Sequence, residues 1–256
     1  MGDDPATRAE EIGAIRLGLD LGLTLIDTAE MYGEGRSEKL VAEAITGRRD
    51  QVFLVSKVLP SHASRRGTVA ACEKSLARLK TDRIDLYLLH WRGNVPFAET
   101  LDALEALRRS GKIRHHGVSN LDLADTREWR TLAGGNAAAT NQVLYNLSRR
   151  GIEWDLLPWL RARHIPVMAY SPLEQARLLT DPQLESFALR HGMTPAQAAL
   201  AWLLSRDDVI AIPKSGSRAR VAENHGALDH ALTKAQLAEL DRAFPPPRGP
   251  RALEML

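Results

Sequence analysis

The amino-acid sequence predicts an α/β fold, a parallel (β/α) barrel, from two observations. Short apolar segments alternate with helical segments along the chain, which is typical of a parallel sheet buried on both faces. Four of the apolar segments also end in a polar residue, and these residues are Asp27, Lys57, His90 and Asn120. A parallel barrel has its chemistry at the C-terminal ends of its strands, so the four side chains are expected on one face of one sheet. Tyr32 follows Asp27 by five residues, in a loop that is able to fold back over that face.

The expected elements follow one another along the whole chain. Strands are expected near residues 23–27, 52–57, 85–90, 113–118, 140–145, 166–170 and 208–213. Helices are expected near residues 7–21, 37–46, 67–80, 97–110, 121–132, 153–163, 194–205, 217–228 and 233–243.

Three of the helix starts have capping signals. Thr7-Arg8-Ala9-Glu10 fits a capping box, in which the hydroxyl accepts from an amide of the first turn and the carboxylate reaches back to the cap residue. Thr194-Pro195 predicts a sharp start, because a proline at the first helical position loses no hydrogen bond. Thr233-Lys234-Ala235-Gln236 is expected to open the last helix.

The composition favours one domain over residues 1–256. The chain has 256 residues, of which 44% are hydrophobic, so it is able to bury one substantial core, and no linker divides it. A formal charge of +2, without a basic block interleaved with aromatic residues, speaks against a nucleic-acid partner. No apolar run has membrane-spanning length and the first residues are unlike a secretory signal, so a cytoplasmic monomer without a membrane partner is expected.

Residues often associated with redox or metal chemistry have structural interpretations here. Cys72 is the only cysteine, and it shares a predicted helix face with Leu76 and Leu79, so a packed thiol is expected. His115 and His116 are adjacent in a predicted strand and point to opposite faces, and no third ligand has suitable spacing. No metal site is predicted.

Two further groups of residues are assigned to the core or to the surface. The tryptophans in helical patterns, Trp129, Trp154, Trp159 and Trp202, are expected in the core. The arginine pairs Arg108-Arg109 and Arg149-Arg150 are expected in solvent.

The later strand ends add polar and aromatic groups to the predicted face. Gln142 offers an amide that both donates and accepts, which suits a carboxamide ligand, and Tyr170 offers an aromatic plane. The last strand runs into the segment 214–220, where cations, hydroxyl groups and a glycine precede a helix N-terminus. Backbone amides, the helix dipole and basic side chains together form a phosphate site.

The sequence resembles the aldo-keto reductase superfamily. The resemblance rests on seven motifs in order: Asp27-Thr28-Ala29-Glu30-Met31-Tyr32-Gly33, Val55-Ser56-Lys57, Leu89-His90-Trp91, Gly117-Val118-Ser119-Asn120, Asn141-Gln142, Ala169-Tyr170-Ser171-Pro172-Leu173 and Ile212-Pro213-Lys214-Ser215. It covers nearly the whole chain and is nearer to bacterial reductases of methylglyoxal and diketogluconate than to the steroid enzymes with long loops.

The resemblance implies reduction of a carbonyl, with four residues in defined roles. Tyr32 is the implied general acid, and because a free phenol has a pKa of about 10, a neighbouring cation is needed to favour the phenolate. Lys57 supplies that cation, Asp27 pairs with Lys57, and His90 donates to the substrate oxygen. Without Tyr32 and His90, Asp27 and Lys57 would fit a buried structural ion pair equally well. His90 alone would fit a hydrogen-bonded core residue.

The resemblance also implies NADP(H) as the cofactor, with NADPH preferred over NADH. Ser119, Asn120 and Gln142 would bind the nicotinamide carboxamide, Tyr170 would stack on its ring, and Ser171 and Leu173 belong to the same site. Lys214, Ser215, Ser217 and Arg220 would meet the 2′-phosphate, with Glu223 and Asn224 near the adenine. The sequence has no Gly-x-Gly-x-x-Gly motif, as expected for a barrel that binds a dinucleotide without a Rossmann unit.

The implied substrates are small, polar aldehydes and dicarbonyl compounds such as methylglyoxal. The loop after His90 is short, and it places Trp91 as a pocket wall and Arg92 as a substrate contact. The physiological substrate is not identified by the sequence. A cofactor-binding regulatory subunit with little turnover remains an alternative, because members of the superfamily also serve in that role.

One strand of the implied barrel is missing from the sequence. A closed barrel of this type has eight strands, and the family places one of them, ending in a Gly-rich turn, before the helix that starts here at Thr7. Residues 1–5 are expected to be the loop after that strand. Two strands, near 23–27 and 208–213, would then have unpaired edges. We therefore expect that the chain starts inside a longer natural protein. In this form it should have lowered stability and lowered activity, or be inactive.

Overall fold

The computed structural model describes residues 1–2 and 4–256, so that Asp3, in the segment expected to form a loop, lies outside the described residues. The chain groups into two compact units. The first comprises Met1–Thr140 and Ser215–Val221, and the second comprises Asn141–Lys214 and Ala222–Leu256. Within the described residues, no helix combines the length and the apolar character that crossing a membrane requires.

The first unit is built on parallel strands that pair in chain order. These strands are β1 (Leu25–Asp27), β2 (Phe53–Val58), β3 (Ile84–Leu89) and β4 (Ile113–Ser119). The helices are α1 (Arg8–Asp20), α2 (Arg36–Ala44), α3 (Arg65–Leu79), α4 (Phe97–Arg109) and α5 (Leu123–Thr131). Each strand leads into a helix, which covers the sheet and returns the chain for the next parallel strand.

The second unit continues the same pattern. Its strands β5 (Asn141–Leu144), β6 (Val167–Tyr170) and β7 (Val209–Ala211) are also parallel and pair in order. The remaining helices are α6 (Leu156–Arg161), α7 (Pro182–Arg190), α8 (Pro195–Leu204), α9 (Arg218–His225) and α10 (Lys234–Ala243). The first residues of α9, up to Val221, group with the first unit.

The strand and helix repeat confirms the predicted α/β class. Each of the seven expected strands is present close to its predicted position, and among the described residues none precedes α1. Helix α7 is absent from the sequence prediction, although Asp181 and Pro182 signal its start: the carboxylate accepts from the backbone amides of Gln183 and Leu184.

Capping boxes are present at two of the three helix starts with predicted capping signals. Thr194 and Thr233 both form complete capping boxes, with Gln197 and Gln236 respectively. The capping box predicted at Thr7 is wrong. The backbone of Thr7 is already helical (φ −91°, ψ −8°), and its hydroxyl donates to the backbone oxygen of Asp4 and makes no cap hydrogen bond. The carboxylate of Glu10 is bound elsewhere, to Arg218.

The core of the first unit lies between the strands and the helices that follow them. Leu54 and Tyr87 of the strands belong to one buried cluster with Leu76, Leu101 and Trp129 of the helices. This cluster fixes the strands, and therefore the positions at which the polar strand ends emerge.

The packed position of Cys72 and the opposite faces of His115 and His116 are confirmed. Cys72 is buried in the same cluster, and burial raises the pKa of its thiol to about 12, so the thiol is packed and protonated. His116 is buried with Nε2 3.0 Å from Glu105 Oε1, whereas His115 is exposed on the opposite face. Among the described residues, no group of three His, Cys, Asp or Glu side chains is placed to hold a metal ion.

The prediction that Arg150 is solvated is wrong. Only 6% of this residue is exposed. Its guanidinium donates to both carboxylate oxygens of Glu153, at 2.9 and 2.8 Å, and to Asp241 at 2.8 Å, and lies 5.0 Å from the ring centre of Trp202. The hydrogen bonds and the aromatic face replace the water that the cation loses.

The other arginines of these pairs are closer to the expectation. Arg108 and Arg109 are exposed, and Arg108 pairs with Glu105 of the same helix. Arg149 is partly exposed and pairs with Glu174 and Glu254, both in its own unit.

Two of the four tryptophans expected in the core are fully buried, namely Trp129 and Trp202. Trp159 is partly buried, with the guanidinium of Arg163 4.0 Å from its ring centre. The core prediction for Trp154 is wrong, since 47% of this residue is exposed. Trp154 follows a 3₁₀ turn and precedes α6, which begins only at Leu156, so it does not share the buried face of that helix.

Candidate active site

The candidate site is centred on a buried ion pair at the ends of β1 and β2. The ammonium of Lys57 lies 2.6 Å from Asp27 Oδ2 and also donates to the backbone oxygen of Thr28 at 2.9 Å. Lys57 is fully buried. Burial alone lowers the pKa of Lys57, but Asp27 and then Tyr32 act in the opposite direction, and the pKa is raised above its usual value. Lys57 is therefore a permanent cation.

Tyr32 reaches this cation from the loop after β1. Its hydroxyl lies 3.4 Å from Lys57 Nζ, which also stands 5.0 Å from the centre of the phenol ring. The chain turns tightly after Tyr32, because the next three residues, Gly33, Glu34 and Gly35, all have positive φ angles of 57°, 54° and 84°. A Cβ at Gly35 would also lie 2.5 Å from Arg78 Cδ, so this turn requires a glycine.

The pKa of Tyr32 is raised, not lowered. Burial of the phenol raises it, and the charge of Lys57 lowers it without fully offsetting the burial. The expected influence of the cation is present, but Tyr32 is protonated at neutral pH. A protonated phenol is the form that a general acid needs.

His90 lies beside Tyr32 at the end of β3. The two rings are in edge contact, with their centres 5.9 Å apart. Burial and then the charge of Lys57 lower the pKa of His90 to about 3, so the imidazole is neutral in the working pH range. Its Nδ1 is buried and has no hydrogen-bond partner among the described residues. We assign the proton of the neutral ring to Nε2, because a proton on Nδ1 would be a buried donor without an acceptor.

The end of β4 is hydrogen-bonded to the residue that follows β3, His90. Asn120 adopts a left-handed backbone (φ 54°), and its side-chain amide donates to the backbone oxygen of His90 at 3.1 Å and to Ser119 Oγ at 3.2 Å. A non-glycine residue in this conformation stores strain that the surrounding bonds must hold. Ser119 and Asn120 are thus next to the tetrad formed by Asp27, Tyr32, Lys57 and His90.

The residues after His90 point in two directions. The ring of Trp91 packs on that of His90, with their centres 4.8 Å apart. The guanidinium of Arg92 instead binds Asp125 and Glu128 of α5 and covers the ring of Phe97 at 4.6 Å. Trp91, expected as a pocket wall, therefore packs on His90, whereas Arg92, expected as a substrate contact, is held by α5.

One residue of the site has no assigned role in the sequence prediction. Glu30, which lies between Asp27 and Tyr32 in the sequence, is buried. Its Oε1 accepts from the backbone amide of Leu59 at 2.8 Å and lies 3.0 Å from His62 Nδ1. It joins the Tyr32 loop to the segment after β2. The only signal for it in the sequence is its position inside the Asp27 to Gly33 motif.

The predicted phosphate segment begins with a turn in the first unit. Ser215 Oγ accepts from the backbone amide of Ser217 at 3.1 Å and donates to its backbone oxygen at 3.2 Å. Arg220 is exposed in the first turns of α9 and has no carboxylate within ion-pair distance among the described residues. An exposed guanidinium without a carboxylate partner, a few residues after two hydroxyl side chains in the sequence, suits an anion.

The remaining predicted cofactor residues belong to the second unit and are described there alone. Gln142 is buried on β5, with Nε2 4.0 Å from Met168 Sδ, and Tyr170 ends β6. Ser171 has a left-handed backbone (φ 48°), and its carbonyl accepts from Asn146 at 2.9 Å. The others in this unit are Leu173, before a 3₁₀ turn, Lys214, which is exposed, and Glu223 and Asn224 in α9.

Comparison with known proteins identifies the family. The Aldo/keto reductase family model matches residues 1–244. The chain is 52% identical to methylglyoxal reductase YeaE of Escherichia coli (strain K12), over 100% of this chain and 92% of that protein. It is 33% identical to glyoxal reductase of Bacillus subtilis (strain 168), over 96% of this chain and 88% of that protein.

Solved structures agree in fold. The aldo/keto reductase from Klebsiella pneumoniae, crystallised with NADP and acetate, has a TM-score of 0.98 and 50% identity, over 100% of this chain and 92% of that chain. A putative 2,5-diketo-D-gluconic acid reductase B has a TM-score of 0.83 and 34% identity, over 96% of this chain and 88% of that chain.

The fold belongs to the (β/α) barrel class, with seven strands among the described residues, and the matches to reductases show that the chain is an NADP-dependent oxidoreductase. The chain belongs to the aldo/keto reductase family.

The neutral state of His90 predicts a pH dependence of stability. The pKa of His90 is about 3 in the folded chain, compared with the ordinary histidine value of 6.5 that applies to the unfolded chain. Between these values the unfolded chain binds a proton at His90 and the folded chain does not, so stability decreases as the pH falls through this window. We expect a loss of about 2 kcal/mol from His90 between pH 7.5 and pH 5.

Denaturant unfolding at a series of pH values measures this loss. His90→Gln should show a weaker pH dependence than the wild type, whereas His115→Gln, at an exposed position, should follow the wild type. Equal pH dependence in His90→Gln and the wild type would contradict the neutral state of the buried imidazole.

Proposed function

We propose that the chain reduces small aldehydes and dicarbonyl compounds, methylglyoxal among them, to alcohols by hydride transfer from NADPH, with Tyr32 as the general acid. The observation that supports this most directly is the contact of the Tyr32 hydroxyl with Lys57, whose ammonium is held in turn by Asp27. This arrangement gives a protonated phenol beside a fixed positive charge.

The relatives support both the reaction and the cofactor. The chain is similar over its whole length to a methylglyoxal reductase, and to a glyoxal reductase over most of it. The similar Klebsiella pneumoniae reductase was crystallised with NADP and, in a second structure, with NADPH. NADP(H) is accordingly the cofactor of this chain.

The residues present fit that cofactor. Arg220 is an exposed cation without a carboxylate partner among the described residues, and Ser215 and Ser217 form a turn that precedes it by a few residues. We infer that Lys214, Ser215, Ser217 and Arg220 hold the 2′-phosphate, with Glu223 and Asn224 near the adenine. We assign the nicotinamide end to Ser119, Asn120, Gln142, Tyr170, Ser171 and Leu173.

In this proposal, three side chains of the site carry out the proton transfer. Bound NADPH supplies the hydride that reduces the carbonyl carbon. Tyr32 donates its hydroxyl proton to the carbonyl oxygen, and the phenolate that remains is stabilised by the ammonium of Lys57 at 3.4 Å. Asp27 keeps this ammonium in place. Because burial raises the pKa of Tyr32, the proton is available at neutral pH until the alkoxide begins to form.

His90 orients the carbonyl group. Its neutral imidazole holds a proton on Nε2 and donates it as a hydrogen bond to the same oxygen that receives the Tyr32 proton. Trp91, packed on the His90 ring, forms a wall of the pocket. Because Arg92 is held by Asp125 and Glu128, we do not include it among the groups that bind substrate.

Substrate preference tests the proposed reaction. With NADPH in excess, we expect turnover of methylglyoxal and other small aldehydes, with a higher kcat/KM than for a bulky steroid ketone, because the pocket at Trp91 is bordered by a short loop. The measurement is the loss of absorbance at the nicotinamide band. A higher kcat/KM for the steroid would contradict the substrate class. Cofactor binding without turnover across the panel would instead favour a regulatory role.

The Tyr32→Phe variant tests the proposed acid. Removal of the hydroxyl should lower kcat for methylglyoxal by about 10²–10⁴-fold, the usual contribution of general acid catalysis. The affinity for NADPH, measured by fluorescence titration, should stay near that of the wild type. Tyr87→Phe is the matched control, since it removes a hydroxyl in the core cluster and should retain activity. Turnover close to the wild type in Tyr32→Phe would exclude the role.

The Arg220→Ala variant tests the phosphate assignment. Loss of a charged partner of the 2′-phosphate should weaken NADPH binding by about 1.5–3 kcal/mol. NADH lacks that phosphate, so its affinity should hardly change. Binding of both cofactors is measured by titration on the same preparation. If the two affinities decreased equally, Arg220 would have a structural role.

A further inference from the structure

The carboxylate of Glu10 binds the start of the predicted phosphate segment. Its Oε1 accepts from the backbone amide of Arg218 at 2.9 Å, and its Oε2 accepts from Nε and Nη2 of the same arginine at 3.0 and 2.7 Å. Glu10 lies in the first turn of α1, and Arg218 is the first residue of α9. All of these residues belong to the first unit. One carboxylate thus fixes both the backbone and the side chain at the start of α9.

Two glycines allow α1 and this segment to approach closely. A Cβ at Gly13 would lie 3.3 Å from Arg218 Cδ, so the stem of the arginine rests on the helix at that point. A Cβ at Gly216 would lie 3.1 Å from Glu11 Cγ. Both contacts are tighter than ordinary packing would allow for an alanine. The segment 215–218 is therefore seated on α1 by packing as well as by hydrogen bonds.

The two arginines of this segment are in different situations. Arg218 is neutralised by Glu10, whereas Arg220 has no carboxylate partner among the described residues. Residues two apart in a helix do not face the same side. The side chain of Arg218 is turned toward α1, which leaves Arg220 as the cation of this pair that is available to an anion.

We propose that Glu10 is a positioning residue for the 2′-phosphate: by holding Arg218 on α1, it orients Ser215, Ser217 and Arg220 and so increases the preference for NADPH over NADH. This inference rests on the proposed function, because it assigns the segment to the phosphate of that cofactor. Glu10 itself touches neither substrate nor cofactor in this scheme. The hydrogen bonds from Arg218 lower the pKa of Glu10, so the carboxylate is ionised at neutral pH.

The test compares Glu10→Gln, Arg218→Met and the double variant in the full chain. We expect each single variant to raise the Kd of NADPH by about three- to tenfold, within the usual range for a lost charge-assisted contact, and to leave the Kd of NADH unchanged. The double variant should be no weaker than either single variant, because both changes break one contact. At saturating NADPH, kcat should be that of the wild type.

Glu43→Gln provides a matched control. Like Glu10, Glu43 is an exposed carboxylate that pairs with an arginine: it accepts from Nε of Arg8, in α1, at 3.1 Å. It is not bonded to the segment 215–218. This variant should bind both cofactors like the wild type. A fragment that bears the 2′-phosphate, 2′,5′-ADP, should report the same loss in Glu10→Gln as NADPH, whereas 5′-AMP should report none.

Several results would overturn the inference. Tighter NADPH binding in Glu10→Gln would mean that the carboxylate competes with the phosphate, and equal losses for NADH would mean a general structural role. An unchanged NADPH affinity, additive losses in the double variant or an equal loss in Glu43→Gln would also exclude it. Failure of the proposed function is recognised separately, since the wild type would then show no preference for NADPH and Arg220→Ala would have no effect.

Discussion

The buried ammonium of Lys57 is the constraint on which the rest of the site depends. A charge in a fully buried position costs several kcal/mol unless partners compensate it, and here Asp27 Oδ2 at 2.6 Å and the Thr28 carbonyl at 2.9 Å do so. Both partners come from the end of β1 and the residue after it, so compensation of the charge also fixes the point at which the Tyr32 loop leaves the sheet. The contacts that stabilise the buried ammonium of Lys57 therefore also determine where the phenol of Tyr32 is placed.

The same cation divides the chemical roles between two neighbouring side chains. On Tyr32 it opposes the effect of burial, so that a phenolate is tolerated once the proton has left. On His90 it acts together with burial and keeps the imidazole neutral, with a pKa of about 3. In the proposed reaction, Tyr32 is then the group that gives up a proton, and His90 is the group that donates a hydrogen bond without titrating. One fixed charge thus acts differently on two adjacent side chains, and such differences in environment are what separate acid and base assignments.

Much of this could be predicted from the sequence, because the information is local and repeated. Each strand is a short apolar run, and parallel strands bring their C-terminal ends to one edge, so Asp27, Lys57 and His90 were expected together without any knowledge of the loops. Two of the predictions were wrong for different reasons. Arg150 is buried because Asp241, 91 residues away, meets its guanidinium, and no local pattern contains that information. Trp154 is exposed because the helix after it begins three residues later than expected.

Glu10 shows why a correct local motif is not always used. A capping box would give the carboxylate one hydrogen bond to a neutral backbone amide. Arg218, 208 residues further along the chain, offers a backbone amide together with two guanidinium donors, and charge-assisted bonds are roughly twice as strong as neutral ones. The distant partner prevails because it satisfies more donors with the same two oxygens. The helix start at Thr7 is left without its side-chain cap, and the stabilisation is placed instead at the segment proposed to recognise the cofactor.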